Sequence, residues 1–152
     1  MPSAIVAALA LTAAAAPQGT PVESNLVYAT PIAGDWSYAA TPTGSQAVFA
    51  NGTGNPQLTF RCTRATRRVA IVKAAPSASP SMWVWTSSQS RSLPATYDPA
   101  AGQVSTELGA YDAFLDAIAA SRGRIGVSSS GLAALVVPPW ADVARVIEDC
   151  RV

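Results

Sequence analysis

The sequence predicts an α+β domain, mainly β: an antiparallel sheet or sandwich of about seven strands with two late helices. Three observations predict it. Apolar and polar residues alternate in short runs from Trp36 to Val104, with Gly, Pro, Asn and Ser clusters between the runs. Near Leu108 the apolar period changes from two to between three and four. No strand–helix–strand alternation occurs, so a parallel nucleotide-binding sheet is not expected.

The first residues suggest export rather than fold. Ala4 to Ala16 is small and apolar throughout except Thr12, and is too short to span a bilayer. Ala13-x-Ala15 suits a secretory cleavage, although the segment before it has no Lys or Arg. The expected organisation is a signal peptide over 1–15, a linker over 16–34 and one β-rich domain over 35–152. Within the linker, Leu26-Val27-Tyr28 is a candidate short edge strand.

Trp36-Ser37-Tyr38 alternates as a half-buried strand does, and Gln46 to Ala50 follows the turn at Thr41 to Ser45. Asn51 to Pro56 is a second turn; its Asn51-x-Thr53 sequon is explained by the backbone role of those residues. Gln57 to Thr63 places Leu58, Phe60 and Cys62 on one face and Thr59, Arg61 and Thr63 on the other. With Arg68 to Lys73 it forms the clearest hairpin in the chain. Met82 to Trp85 alternates again, with Trp83 and Trp85 on one face; both are expected in the core, a groove for a glycan or peptide being the alternative, and Trp36 and Trp140 are expected in the core as well. Ser92-Leu93 and Gln103 to Ser105 are shorter strand candidates.

Asp112 can cap a helix starting at Ala113, with Phe114, Leu115, Ile118 and Ala119 on its apolar stripe. Ile125 to Val127 and Leu132 to Val137 form a last hairpin around Ser128 to Gly131. Pro138 and Pro139 end it, and Pro139 can lead into a final helix. On that helix Val143, Val146, Ile147 and Cys150 share one side. Arg122, Arg124, Arg145 and Arg151 read as solvated charges.

No catalytic constellation stands out. The chain has no histidine, which removes the commonest general base and the Ser-His-Asp and Cys-His nucleophile systems. No nucleophile elbow, phosphate-binding loop or metal-ligand spacing occurs, so no catalytic, cofactor or metal residue is assigned. Asp112 and Asp116 share a helix face, but capping and exposure account for them. The net charge of +1 gives no reason to expect a nucleic-acid partner.

Two clusters remain. Cys62 and Cys150 each fall on a core-facing surface, and in an oxidising compartment such a pair is expected to bridge; two buried free thiols are the alternative. Arg61, Arg64, Arg67 and Arg68, with Lys73, crowd the hairpin. Clustered guanidiniums suit an unknown protein or anionic ligand, whereas a solvated, charged edge that resists aggregation explains them without any partner.

The order of Trp36, Leu58-x-Phe60-Arg61-Cys62, Tyr111-Asp112, Leu115-Asp116, Ser121-Arg122-Gly123-Arg124, Pro139-Trp140 and Glu148-Asp149-Cys150-Arg151 resembles small exported proteins of alphaproteobacteria. More loosely, it is similar to periplasmic β-sandwich families of the invasion-associated locus B and type VI secretion-associated types. The resemblance implies an envelope location, periplasmic or secreted, and a Cys62–Cys150 bridge. It implies no catalytic residue. The expectation is therefore an exported, non-enzymatic binding or accessory module of the cell envelope, without a stable membrane span. The alternative is an envelope enzyme or enzyme inhibitor acting on glycan or peptide.

Overall fold

The computed structural model describes residues 26–129 and 132–152, and the expected signal peptide with the first part of the linker lies outside them, as do Ser130 and Gly131 of the turn expected over Ser128 to Gly131. The described chain is mainly antiparallel β, with ten strands in two sheets and two helices. The first sheet has six strands in the order β1-β2-β3-β4-β8-β7: β1 (Gly34–Thr41), β2 (Gly44–Asn51), β3 (Pro56–Thr63), β4 (Arg68–Ala74), β8 (Gln103–Gly109) and β7 (Thr96–Asp98). The second has four, β10 (Leu135–Val137), β9 (Ile125–Ser129), β5 (Ser81–Trp85) and β6 (Ser90–Pro94). Helix α1 (Ala113–Ala119) follows β8, and α2 (Ala141–Asp149) follows β10.

The alternation read in β3 fixes the inner face of the six-stranded sheet. Leu58, Phe60 and Cys62 are fully buried, and register carries that face to Phe49 and Ala47 on β2 and to Ile71 and Val69 on β4. Helix α2 covers β1 to β3 with Val143, Val146 and Ile147, while the four-stranded sheet adds Met82, Val84, Leu93, Ile125 and Val127 to the same core. Phe60 alone, fully buried, stabilises by about 3–5 kcal/mol relative to alanine. The first helix begins as its sequence indicates: Asp112 accepts the Phe114 N–H at 2.9 Å.

The tight β1–β2 hairpin closes at Thr41↔Gly44, and Gly44 is required there, since a Cβ would strike the Cys62 carbonyl behind it. In the β2–β3 turn the Asn51 Oδ1 accepts the Thr53 and Asn55 N–H groups at 3.1 and 3.0 Å, which organises the loop from within.

Several expectations are corrected. Trp83 and Trp85 do share a face, but it is the outer one: Met82 and Val84 enter the core and the indoles lie half-buried outside it. Trp140 is 61% exposed at the start of α2, whereas Trp36 packs edge-on against Phe49 as expected. Leu26 to Tyr28 forms no strand. Leu26 is instead a buried wedge over Gly126 of β9, and the Ile32 N–H donates to Val136 O at 2.9 Å. The last strand is shorter than expected, starting at Leu135.

One turn of the chain determines the space between the sheets. Ala95 N–H donates to Pro80 O at 3.0 Å, extending the β5–β6 pairing, while the next residue, Thr96, pairs with Ser105 of the other sheet. A single strand thus changes sheets within two residues. The edges of β6 and β8 diverge from that corner and leave a cleft of about 490 Å³.

Candidate partner-binding site

The β3–β4 turn places three of the four candidate arginines together. Arg67 adopts a left-handed backbone conformation (φ 50°), its N–H donates to Arg64 O at 3.1 Å, and Arg64 N–H donates to Thr43 O at 3.0 Å. Arg64 and Arg67 therefore lie at the hairpin tip, beside the end of α2, and Arg68 starts β4. Arg61 lies away from the tip, exposed on the outer face of the six-stranded sheet in a row with Gln46 and Ala70, the face on which Arg68 also falls, and its side chain makes no hydrogen bond or ion pair among the described residues. Lys73 is not part of the cluster. It is in phase with Val69 and Ile71 on the inner face, 7% exposed, and burial lowers its pKa. Its Nζ donates to Ala74 O at 3.2 Å.

A disulfide joins Cys62 to Cys150 directly behind the tip, with the Cα atoms 5.5 Å apart. It fastens the end of α2 to β3 and closes a sequence separation of 88 residues, worth about 4–5 kcal/mol on the chain-entropy account. Polar side chains cluster around it. Tyr38 Oη donates to Asp149 Oδ2 at 2.6 Å, and the Arg145 guanidinium lies 3.8 Å from the centre of the Tyr38 ring. The Tyr38 hydrogen bond lowers the Asp149 pKa against the effect of burial, with help from the charges of Arg64 and Arg145. Arg64 Nε reaches Asp149 O at 3.4 Å. An acidic side chain in the last turn opposes the helix dipole, and these neighbours offset it.

Arg151 is the most constrained cation, contrary to its reading as a solvated charge. Its Nη2 meets Asp116 at 2.7 Å, its Nη1 meets Glu148 at 3.0 Å and its Nε donates to Ala110 O at 2.8 Å. Hydrogen bonding to Asp116 raises its pKa. Tyr111 completes the group: its hydroxyl donates to Arg151 O at 2.6 Å and accepts from Arg67 Nη1 at 3.4 Å. Arg124, half-buried with Nη1 3.5 Å from Leu26 O, also departs from the solvated reading, whereas Arg145 is exposed, as that reading has it, and lies over the Tyr38 ring.

On the cleft side the cations are held less tightly. Arg68 pairs with Glu107 at 2.9 Å, and Arg91 pairs with both oxygens of Asp112 at 2.9 and 3.0 Å. Both arginine side chains are nearly half exposed, at 46% and 45%. Exposed pairs of this kind contribute roughly 0–1 kcal/mol each, so a ligand carboxylate can compete for either guanidinium. Sequence reasoning missed Arg91, Glu107 and Tyr111 as members of this end of the molecule. No local pattern joins them, because β8 reaches β4 only through long-range pairing and β6 belongs to the other sheet.

Among the described residues no cluster of three or more His, Cys, Asp or Glu side chains is placed to hold a metal, and no helix is long and apolar enough to cross a membrane. Comparisons with protein-family models, curated proteins and solved structures found no match for this chain.

Proposed function

We propose that this chain is an exported, non-enzymatic binding module of the cell envelope whose arginine-bearing end engages a partner protein. The observation that carries the reading is the rigid presentation of Arg64, Arg67 and Arg68 on a hairpin stapled from behind by Cys62–Cys150. The bridge supports export, because disulfides persist chiefly in oxidising compartments. The Ala4–Ala16 run and the resemblance to small alphaproteobacterial exported proteins point the same way. Guanidiniums held by hydrogen bonds, as Arg64 is to Asp149 O and Arg67 to the Tyr111 hydroxyl, lose less freedom on binding a carboxylate than unrestrained ones.

The test is photo-crosslinking in the native cell from a probe at Ala65, with a probe at Asn55 in the β2–β3 turn as control. The expected result is a discrete adduct from position 65 that disappears in the Arg67→Glu/Arg68→Glu variant. Equal labelling from both positions, or none from position 65, overturns the reading.

A second reading, contact with a glycan or peptide through the four-stranded sheet, is favoured by the outward placement of Trp83 and Trp85 beside Ser92 and Ser128. Saturable quenching of tryptophan fluorescence by an oligosaccharide, lost in Trp83→Ala, supports it. Unchanged fluorescence across an oligosaccharide panel removes it.

A further inference from the structure

The backbone of β8 has an unfinished edge inside the cleft. Hydrogen bonds alternate along an antiparallel pair, and the bonds Ala110 N–H to Arg67 O and Ala75 N–H to Gly102 O fix their phase between β4 and β8. Val104, Thr106 and Leu108 direct their peptide groups to β4; Gln103, Ser105, Glu107 and Gly109 direct theirs away from it. Strand β7 takes up Gln103 and Ser105 and then ends. Beyond Ser105 no strand among the described residues pairs with that edge.

The register shows why. Thr96 lies opposite Ser105, so the residue that would face Glu107 is Pro94, which has no N–H to donate. The chain leaves for the other sheet at that point. Arg68 takes the vacant role: its Nη2 donates to Glu107 O at 3.3 Å, while Gly109 O is occupied by the Asp112 N–H at 2.9 Å. The Glu107 N–H is left without a strand partner in a cleft lined by Leu93, Pro94 and Leu108 together with Arg68 and Arg91, and Gly109 follows where that lining ends.

We propose that this cleft receives an extended acidic segment of a partner polypeptide, which adds to the six-stranded sheet along Glu107–Gly109. The main chain of the segment replaces the strand that Pro94 turns away, and its carboxylates exchange with Glu107 and Asp112 on Arg68 and Arg91. Charge selects the occupant. The cleft lining sets Arg68 and Arg91 against Glu107 alone, and the exposed Arg68–Glu107 pair, whose arginine also covers the edge carbonyl, is open to a competing carboxylate. This inference rests on the partner-binding reading above and gives it a location and a mode.

The test uses the isotopically labelled, disulfide-intact protein and a blocked six-residue peptide of alternating valine and glutamate. The expected result is saturable shifts of the Glu107 and Gly109 amides with slowed exchange. N-methylation of the peptide's edge-facing nitrogens should weaken binding at least tenfold, and Arg91→Gln should weaken it severalfold. Equal binding of the methylated peptide overturns strand addition while leaving an arginine-mediated partner contact standing. Equal binding of a valine–lysine peptide overturns the acidic occupant. Absence of any shift at millimolar peptide overturns the cleft as a site. A concentration-dependent dimer that protects the same two amides without peptide assigns the edge to a second copy and likewise overturns the proposal. Loss of the Ala65 crosslink in cells, with the peptide results intact, would instead remove the reading on which the inference rests.

Discussion

The two ends of the β3–β4 hairpin's neighbourhood use the same residue type in opposite ways. Behind the tip, Arg151 is 18% exposed and contacts two carboxylates and a carbonyl, within a few residues of a disulfide. Across β8, Arg68 and Arg91 are more than twice as exposed and each has a single carboxylate partner. Both regions are rich in arginine and neither is rich in net charge. What separates them is whether the surrounding backbone is complete. At the staple β1 to β3 lie under α2, and Arg151 ties the end of that helix to Ala110 and Asp116. At the cleft a strand has left the sheet, and the cations stand beside an edge that nothing finishes. An arginine's role is thus set by the hydrogen bonding of the chain around it more than by its own chemistry.

The comparison can be broken most forcefully at the disulfide. Reducing it, or replacing both cysteines by alanine, is expected to remove about 4–5 kcal/mol of unfolding free energy, read from denaturant midpoints at constant slope. A loss below about 1 kcal/mol would show that the closed end does not depend on its staple. Next in size is the arginine contrast. Arg151→Ala should lose about 1.5–3 kcal/mol, because three charge-assisted or carbonyl contacts go with it, whereas Arg91→Ala should lose less than about 1 kcal/mol. Equal losses would erase the distinction between the two ends.

The pH dependence offers a finer cut. The Asp149 pKa is lowered from 3.8 in the folded protein, so its contribution is complete above that value and disappears as the pH falls below it toward the folded pKa. Thermal unfolding between pH 5 and pH 2 should show this slope, and Asp149→Asn or Tyr38→Phe should flatten it. The smallest effect concerns Lys73, a buried cation with no carboxylate partner among the described residues. Its pKa is lowered from 10.5, so its charged form opposes folding at neutral pH. That opposition fades as the pH rises through the folded pKa toward 10.5. Lys73→Met is expected to raise the melting temperature slightly at pH 7 and to have less effect at pH 10.

Much of the fold was legible where one residue's neighbours in sequence are also its neighbours in space. The Leu58-Phe60-Cys62 face, the Asp112 cap and the Val143-Val146-Ile147-Cys150 stripe follow from local period alone. Strand β5 shows the limit. Alternation separates Met82 and Val84 from Trp83 and Trp85, but both sets are apolar, so pattern does not say which set faces the core. Ranking by size chose the tryptophans, and the sheet chose the slimmer pair. Lys73 shows the converse: its phase with Val69 and Ile71 was visible, and its charge argued against it. The arginine tip was legible because a hairpin is local. The cleft was not, because it depends on β4 pairing with β8 across the insertion that carries β5, β6 and β7.

The corner at Ala95 and Thr96 also has a kinetic consequence. Strands β1 to β4 can pair in chain order as each emerges, but β8 must find β4 only after some 30 intervening residues have been looped out. Because β6 and β7 are one continuous run tied to both sheets, the two edges are coupled at that point. The slow step of folding should be the closure that brings Gln103–Gly109 home.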